Sequence, residues 1–217
     1  MLNIFFYIII IKMKISSCEL YLFMRNIHYY EEGIYDLIEG YIRYKFKDND
    51  ELKKAVDKWC YNKYIAYNKY RNISLWNTSN ITSMYKLFYD KSCFNDNING
   101  WDVSNVENIS FMFTRCFQFN NPLNKWNVSK VKNMYATFKE CNIFDQPLNN
   151  WDVSNVKFMD FLFSECYYFN QDISNWNVSN VTHTKLMFKE CNRLKCNLYR
   201  WEEKNKNIKY LKTDYWS

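Results

Sequence analysis

The sequence predicts an α/β fold: a solenoid of five to six 25-residue coils, each a strand, a turn and a short helix, behind an N-terminal helical cap. Three observations lead to this prediction. Apolar residues inside each unit recur at helical spacing. Two amphipathic segments precede the first unit. Tryptophan recurs every 25 residues, at Trp76, Trp101, Trp126, Trp151, Trp176 and Trp201.

The first 30 residues are predicted to be a leader, apolar at first and then irregular. Met1–Ile11 is strongly apolar, but these eleven residues are too few to cross a bilayer, which takes about 20. Lys12 and Lys14 follow this run, whereas a secretory signal carries its basic residues ahead of it. Membrane association is therefore not favoured, although the apolar run leaves it open. Two alternatives also stay open: Ile15-Ser16-Ser17-Cys18 is similar to a lipoprotein cleavage box, and translation could begin at Met13 or Met24.

Residues 31–75 are predicted to form a helical N-terminal cap, because the first coil of a stack would otherwise expose its core and its backbone edge. Asn49 or Asp50 is positioned to cap the second helix. The alternative is that this helical segment is a docking domain of its own. The apolar faces are Ile34, Leu37, Ile38, Tyr41 and Ile42 in the first helix and Leu52, Val56, Trp59 and Cys60 in the second.

Residues 76–200 are predicted to be five complete repeats. In the third, four apolar residues from Val131 to Cys141 stand at i, i+3, i+7 and i+10, which is one face of a helix of about three turns. Ser129 is placed to cap that helix, and residues 148–153 suit a short strand. The predicted repeat core comprises Trp76, Trp101, Trp126, Trp151 and Trp176, with Phe113, Phe138, Phe163 and Phe188, and with Cys116, Cys141, Cys166 and Cys191.

Residues 201–217 are predicted to be a partial sixth repeat that ends in a cap. Trp201 keeps the rhythm, but Glu202, Glu203 and Lys204 replace the Val and Ser of the other repeats. A charged end to the stack is what a terminal repeat needs in order to face water.

Composition and charge argue against several functional classes. The formal net charge of +6 is spread evenly along the chain, so no basic face emerges and nucleic-acid binding is not expected. The two histidines, His28 and His183, lack the neighbours of a nucleophile–base pair. Three glycines can hardly build a phosphate-binding loop. We therefore expect neither a cofactor nor enzymatic activity.

Four cysteines, from Cys116 to Cys191, stand at 25-residue intervals and allow three interpretations. Disulfides between coils are conceivable by distance, but the parallel Cβ vectors of a stack suit the bond poorly. A structural zinc site needs thiolates that converge on the metal, and a linear ladder does not converge. Buried thiols that act as small apolar side chains are the favoured interpretation.

Several motifs of the repeat are similar to those of a known family. They are Trp-Asp-Val-Ser-Asn-Val at 101–106 and 151–156, Met-Phe-x-x-Cys at 112–116 and 187–191, and Phe-Asp-Gln-Pro-Leu-Asn-Asn-Trp at 144–151. These motifs resemble the BspA-like leucine-rich-repeat surface proteins and, more closely, the 25-residue repeat of mycoplasma-type lipoproteins of unknown function. Residues 51–76 look like the leader that precedes such repeats in proteins of giant DNA viruses. The resemblance implies a leucine-rich-repeat-like solenoid used in adhesion or protein recognition, without catalytic residues.

We expect the protein to be a non-enzymatic protein–protein interaction scaffold with an unknown protein partner, located in a host cytoplasm or a virion. The alternative is a cell-surface adhesion lipoprotein of bacterial type, which a lipid on Cys18 would favour. Positions whose residue type varies from repeat to repeat would contact the partner. Several of them hold tyrosine, which is a frequent interface anchor. The candidate surface comprises Tyr135, Lys139, Glu140, Phe158, Asp160, Tyr167 and Tyr168.

Overall fold

The structure, a computed structural model, describes residues 43–205 and residue 208. The chain divides into two units, Met1–Tyr44 and Lys45–Ser217, and the elements that follow belong to the second. The predicted leader and the first predicted cap helix lie outside the described residues. Within the described part of the chain, no helix has the length and apolar character needed to cross a membrane.

Three α-helices and one 3-10 helix occur in the described residues, and all lie outside the central repeats. The helix predicted after residue 48 is present, but its N-cap is Asp48, whose carboxylate accepts the N–H of Glu51 at 2.8 Å. The predicted caps, Asn49 and Asp50, instead lie inside the helix. The elements are α1 (Asn49–Tyr61), α2 (Lys63–Tyr70), a 3-10 helix (Ile73–Leu75) and α3 (Tyr199–Lys204).

The helices at the N-terminal side enclose the first tryptophan of the repeat. Helix α1 buries Leu52, Ala55, Val56 and Trp59 because these residues share one face. The Trp59 ring meets Trp76 edge-on, with ring centroids 5.8 Å apart. Two further aromatic side chains, Phe46 and Tyr70, lie 5.0 and 5.8 Å from the Trp76 ring.

The predicted repeat unit is wrong, and with it the α/β solenoid of strand-turn-helix coils. Between residues 76 and 198 the structure contains no α-helix and no extended strand. Each of coils 1 to 5, which start at the tryptophans from Trp76 to Trp176, is a succession of tight turns. Isolated parallel bridges join successive coils, from Ser83 to Asn108, Asn108 to Asn133, Asn133 to Phe158 and Phe158 to His183.

Left-handed residues explain why no helix forms in the repeat. In coil 3, Ala136 and Glu140 have φ values of 51° and 60°, which lie outside the right-handed helical region. The N–H of Thr137 closes a four-residue turn on the carbonyl of Met134 at 3.2 Å. Every second N–H group, from Met134 through Phe138 to Glu140, donates to a carbonyl of coil 4 at 2.8–2.9 Å. The apolar spacing that predicted a helix is therefore produced by consecutive turns.

The predicted strand over 148–153 and the predicted serine cap are also wrong. The N–H of Trp151 bonds to the carbonyl of Leu148 at 3.0 Å, which makes this stretch a turn. The N–H of Ser129 donates to the side-chain oxygen of Asn127 at 3.1 Å. This is an Asx turn, and its counterpart occurs in every coil. The slot after tryptophan holds Asn or Asp because both supply that oxygen.

The indole N–H group of each internal tryptophan donates to the carbonyl that stands three residues before the preceding tryptophan. Trp151 Nε1 donates to the carbonyl oxygen of Leu123, 28 residues earlier, at 3.0 Å. Trp101, Trp126 and Trp176 make the equivalent bond at 2.8–3.0 Å. The rings of Trp151 and Trp176 stack nearly parallel, with centroids 6.5 Å apart. Tryptophan therefore links coils through both its ring and its polar atom.

Two phenylalanine ladders run beside the tryptophans. The Phe138 ring lies 5.5 Å from Phe113 and 5.6 Å from Phe163, and the three planes agree within 9°. The second ladder contributes Phe144, whose centroid is 4.3 Å from that of Phe138 in the same coil. Phe119 continues it at 5.8 Å from Phe144. Each ring thus has apolar neighbours in its own coil and in adjacent coils, which supports a continuous core.

The four ladder cysteines are buried and not disulfide-bonded. Cys141 Sγ donates to the carbonyl of Phe113 at 3.0 Å, and Cys116, Cys166 and Cys191 make the equivalent bond to the preceding coil at 2.8–3.1 Å. Burial raises the pKa of all four thiols, that of Cys191 to about 12. The side chains are therefore neutral donors inside the stack.

The C-terminal helix covers the last complete coil. Its Trp201 ring stacks on Trp176 with centroids 6.0 Å apart. The side-chain amide of Asn205 donates to the carbonyls of Val178 and Val181 at 2.8 and 2.7 Å. The indole N–H of Trp201 is buried and, unlike those of the internal tryptophans, has no hydrogen-bond partner among the described residues.

This difference makes Trp201 a matched control for the indole hydrogen bond. We expect Trp151→Phe to lower the free energy of unfolding by about 1–2 kcal/mol more than Trp201→Phe, because only the former breaks a buried hydrogen bond while both remove similar ring area. Urea unfolding of the two variants measures the difference. Equal losses would show that the ring contacts alone stabilise the ladder.

The buried thiols predict a loss of stability in alkali. An unfolded thiol ionises near its usual pKa of 9.0, whereas the folded pKa of Cys141 is raised by burial. The stabilising contribution is therefore complete below about pH 9 and declines as the pH rises from there towards the folded pKa. We expect Cys141→Ala to make the decline of unfolding free energy shallower by about 1.4 kcal/mol per pH unit.

Urea unfolding between neutral pH and pH 11 measures this slope. Val131→Ala is the control, because it opens a similar gap in the same coil without removing a titrating group. It is expected to lower stability by the same amount at every pH. If the two variants had the same slope, ionisation of Cys141 would not contribute to alkaline unfolding.

Candidate functional site

An aromatic row crosses the outside of the first four coils. It consists of Tyr85, Phe111, Tyr135 and Phe161, one side chain from each of coils 1 to 4. Successive ring centroids lie 6.0, 4.9 and 5.6 Å apart. Tyr85 is 47% exposed, and the other three side chains are half-buried. The row is separate from the Trp, Phe and Cys ladders, which already fill the interior.

The turns of the repeat place these rings outside. Phe111 and Phe161 both have a φ of 57°, and a left-handed conformation at a bulky residue is unfavourable unless its surroundings enforce it. The backbone N–H groups of Phe111 and Phe161 donate to the next coil at 2.8 and 2.9 Å, which holds them in that conformation. The row thus rests on backbone turns that hydrogen bonds between coils hold in place.

Lysine ammonium groups lie against the aromatic row. Lys86 Nζ is 5.2–5.3 Å from the ring centroids of Tyr85, Tyr89 and Phe111. Lys139 Nζ is 5.9 Å from the centroid of Phe161. Cation–π contacts at these distances stabilise by about 0.5–1 kcal/mol at an exposed site. The surface therefore presents aromatic faces with positive charge beside them.

A row of charged side chains follows the second left-handed position of each coil. Arg115 lies 3.2 Å from a carboxylate oxygen of Asp90 and 3.5 Å from one of Glu140. Glu165 occupies the same position in coil 4. Burial, together with the nearby glutamates, raises the pKa of Tyr167. The charge in this slot is therefore negative in coil 1, positive at Arg115 in coil 2, and negative again in coils 3 to 5.

The predicted surface residues fall into several separate contacts. Tyr135 is part of the aromatic row, and Lys139 lies against the Phe161 ring of that row. Glu140 pairs with Arg115 in the charged row. Asp160 is buried, and its carboxylate accepts the N–H of Lys185 at 3.0 Å. The Asp160 carboxylate therefore holds the backbone of the next coil and is not available to a partner.

The three remaining predicted residues lie at other places on the surface. Phe158 is 36% exposed, and its centroid is 4.8 Å from that of His183. Tyr168 lies under the Arg193 guanidinium at 4.2 Å. Tyr167, its neighbour in sequence, is half-buried beside the charged row.

Sequence reasoning missed four residues of this surface: Tyr85, Lys86, Phe111 and Phe161. A signal for the three rings is present in the sequence. An aromatic residue stands nine positions after tryptophan in coils 1 and 3 and ten positions after it in coils 2 and 4. A comparison of one repeat position at a time does not show this alternation, because neither position is aromatic in all four coils. The two adjacent slots are the two central residues of the same four-residue turn in each coil, which is why the rings meet.

The described residues show no arrangement for metal binding: no group of three or more His, Cys, Asp or Glu side chains converges there. An open groove of about 450 Å³ lies between α1 and coil 1 and borders the aromatic row through Tyr85 and Lys86. Two of its charged side chains are engaged, since Lys91 pairs with Asp57 at 2.9 Å. The groove therefore adds charged side chains of α1 and coil 1 beside the Tyr85 end of the aromatic row.

Comparison with known proteins gives one match. The family described as "Mycoplasma protein of unknown function, DUF285" matches residues 58–156 and 123–213. No curated protein and no solved structure matches the chain. The two overlapping matches begin in α1 and continue beyond α3, and together they cover more than half of the 217 residues. The chain therefore belongs to this mycoplasma repeat family of unknown function.

Proposed function

We propose that the protein is a non-enzymatic interaction scaffold that binds a protein partner through the aromatic row. The observation that carries the proposal is the continuous contact of Tyr85, Phe111, Tyr135 and Phe161 outside a core that is already filled. A partner would cover rings that water now reaches.

The chemistry of the row suits protein recognition. Tyrosine and phenylalanine supply large contact areas with few rotatable bonds, and aromatic side chains are enriched in interface cores. Lys86 and Lys139 add positive charge at the margin, where complementary charge sets orientation and association rate. A partner surface with apolar and acidic groups fits both features.

The placement of the charged and histidine side chains also supports a non-enzymatic role. Asp160 is buried and bonded to the backbone, while His183 contacts Thr182 and the Phe158 ring. The Thr182 hydroxyl beside His183 donates to the backbone carbonyl of Lys157 at 3.1 Å. A function in nucleic-acid binding is not proposed either, because lysines and carboxylates alternate on this surface.

We further propose kinship with the BspA-like surface proteins and with repeat proteins of giant DNA viruses. The Trp-Asp-Val-Ser-Asn-Val motif at 101–106 and 151–156 supports it. A host cytoplasm or virion is the proposed location. A lipid on Cys18, detected by mass spectrometry of the native protein, would instead favour a surface adhesion lipoprotein.

A double variant tests the aromatic row. We expect Tyr85→Ser/Tyr135→Ser to reduce partner capture at least about tenfold, because loss of two interface anchors costs more than 1.4 kcal/mol. A pull-down from native cells, quantified by mass spectrometry, measures the captured protein. Tyr168→Ser is the control, since it removes a 45% exposed tyrosine outside the row.

Three results would contradict the proposal. One is equal capture by the double variant and the wild type. The second is an equal loss in the Tyr168→Ser control. The third is an enzymatic activity that disappears on changing His183 while partner capture persists.

A further inference from the structure

The two most exposed large apolar side chains of the described residues, Tyr61 and Tyr64, lie together with Ile65 at the junction of α1 and α2. Tyr61 is 92% exposed, Tyr64 is 76% exposed and Ile65 is 53% exposed. These three residues are named the tyrosine knob. Large apolar side chains this exposed are unfavourable in water, and clustering them marks a surface that something else covers.

The knob is a fixed protrusion of the chain. Asn62 ends α1 and begins α2, and its side-chain oxygen accepts the N–H of Ile65 at 3.1 Å. On the inner side, Asp96 of coil 1 accepts the indole N–H of Trp59 at 2.9 Å and the ammonium of Lys63 at 2.8 Å. These bonds anchor the base of the knob to the first coil while its tip remains in solvent.

The segment that carries the knob has only basic charged residues, and the acidic group at its base, Asp96, comes from coil 1. Residues 58–71 contain three lysines and an arginine and no acidic residue. Lys63 is paired with Asp96, whereas Lys58 and Lys69 are exposed beside the knob. The surface therefore combines tyrosine and isoleucine at the tip with positive charge at the base.

We propose that the tyrosine knob inserts into the headgroup region of an anionic lipid bilayer and holds the protein at a membrane surface. Tyrosine is favoured at this depth because its ring is apolar and its hydroxyl is polar. Lysines near the surface of an anionic leaflet add attraction, each by about fivefold in affinity. The protein lies on the membrane in this arrangement and does not span it.

The shape of the knob favours a bilayer over a folded partner. A side chain that is 92% exposed stands clear of its neighbours, so a rigid partner would need a matching pocket. A lipid headgroup layer deforms around such a tip. The acidic partner that the lysines also suit, and a second copy of this chain, are alternatives that the experiment separates.

Vesicle co-sedimentation of the full chain tests the proposal. Wild type is expected to bind vesicles of phosphatidylcholine and phosphatidylglycerol, and to bind pure phosphatidylcholine vesicles at least about tenfold more weakly. Tyr61→Ser/Tyr64→Ser is expected to lose at least about tenfold in binding to the anionic vesicles. Lys58→Gln/Lys69→Gln is expected to lose the preference for anionic lipid. Tyr199→Ser, which alters a 55% exposed tyrosine elsewhere, is the control and is expected to bind as wild type does.

Four results would overturn the proposal: no binding to anionic vesicles, equal binding to both vesicle types, unchanged binding of the Tyr61→Ser/Tyr64→Ser variant, or a dimer in solution that this variant abolishes. Circular dichroism of each variant shows that it is folded. The aromatic row is untouched by these substitutions, so partner capture by the scaffold and binding to vesicles succeed or fail independently.

Discussion

The structure depends on one constraint: the backbone, indole and thiol hydrogen bonds that join coils connect residues 24 to 28 positions apart, and equivalent rings stack 25 positions apart. Trp151 and Cys166 each donate to a carbonyl 28 residues earlier, those of Leu123 and Phe138. The Phe138 ring lies between the equivalent rings of both neighbouring coils. A change of register by one residue would therefore remove indole bonds, thiol bonds and ring contacts together, which is why the spacing of tryptophan is invariant.

The same constraint lets the backbone adopt conformations that are unfavourable in isolation. Two non-glycine residues in each coil are left-handed, although glycine is the residue that adopts this conformation at little cost. The N–H of Ala136, in the left-handed region, donates to coil 4, so the stack stabilises what the single turn does not. The outward position of Phe111 and Phe161 in the aromatic row follows from these turns. The register of the core and the position of the aromatic row are thus two consequences of one backbone pattern.

The sequence predicts the period, the buried slots and the helix in front of the repeats, because these follow from apolar spacing and from Trp59 and its neighbours. It does not predict the conformation of a coil. Val131 to Cys141 has the spacing of a helix face, but inter-coil bonds at every second residue compete with helical bonds and prevail. The inter-coil bonds form only when neighbouring coils are present. The sequence of a single repeat therefore predicts a helix. The aromatic row escapes prediction for a related reason, since its rings alternate between two adjacent slots.

Deleting one coil tests the account most directly. Removing residues 126–150 keeps the register, since Trp151 then follows coil 2 and its indole N–H meets the carbonyl of Ile98, which Trp126 uses in the full chain. Removing residues 126–149 shifts every later ladder residue by one position. The measurement is urea unfolding followed by tryptophan fluorescence. The account predicts one cooperative transition for the 25-residue deletion and loss of the folded C-terminal coils for the 24-residue deletion. Equal stability of the two proteins would contradict it.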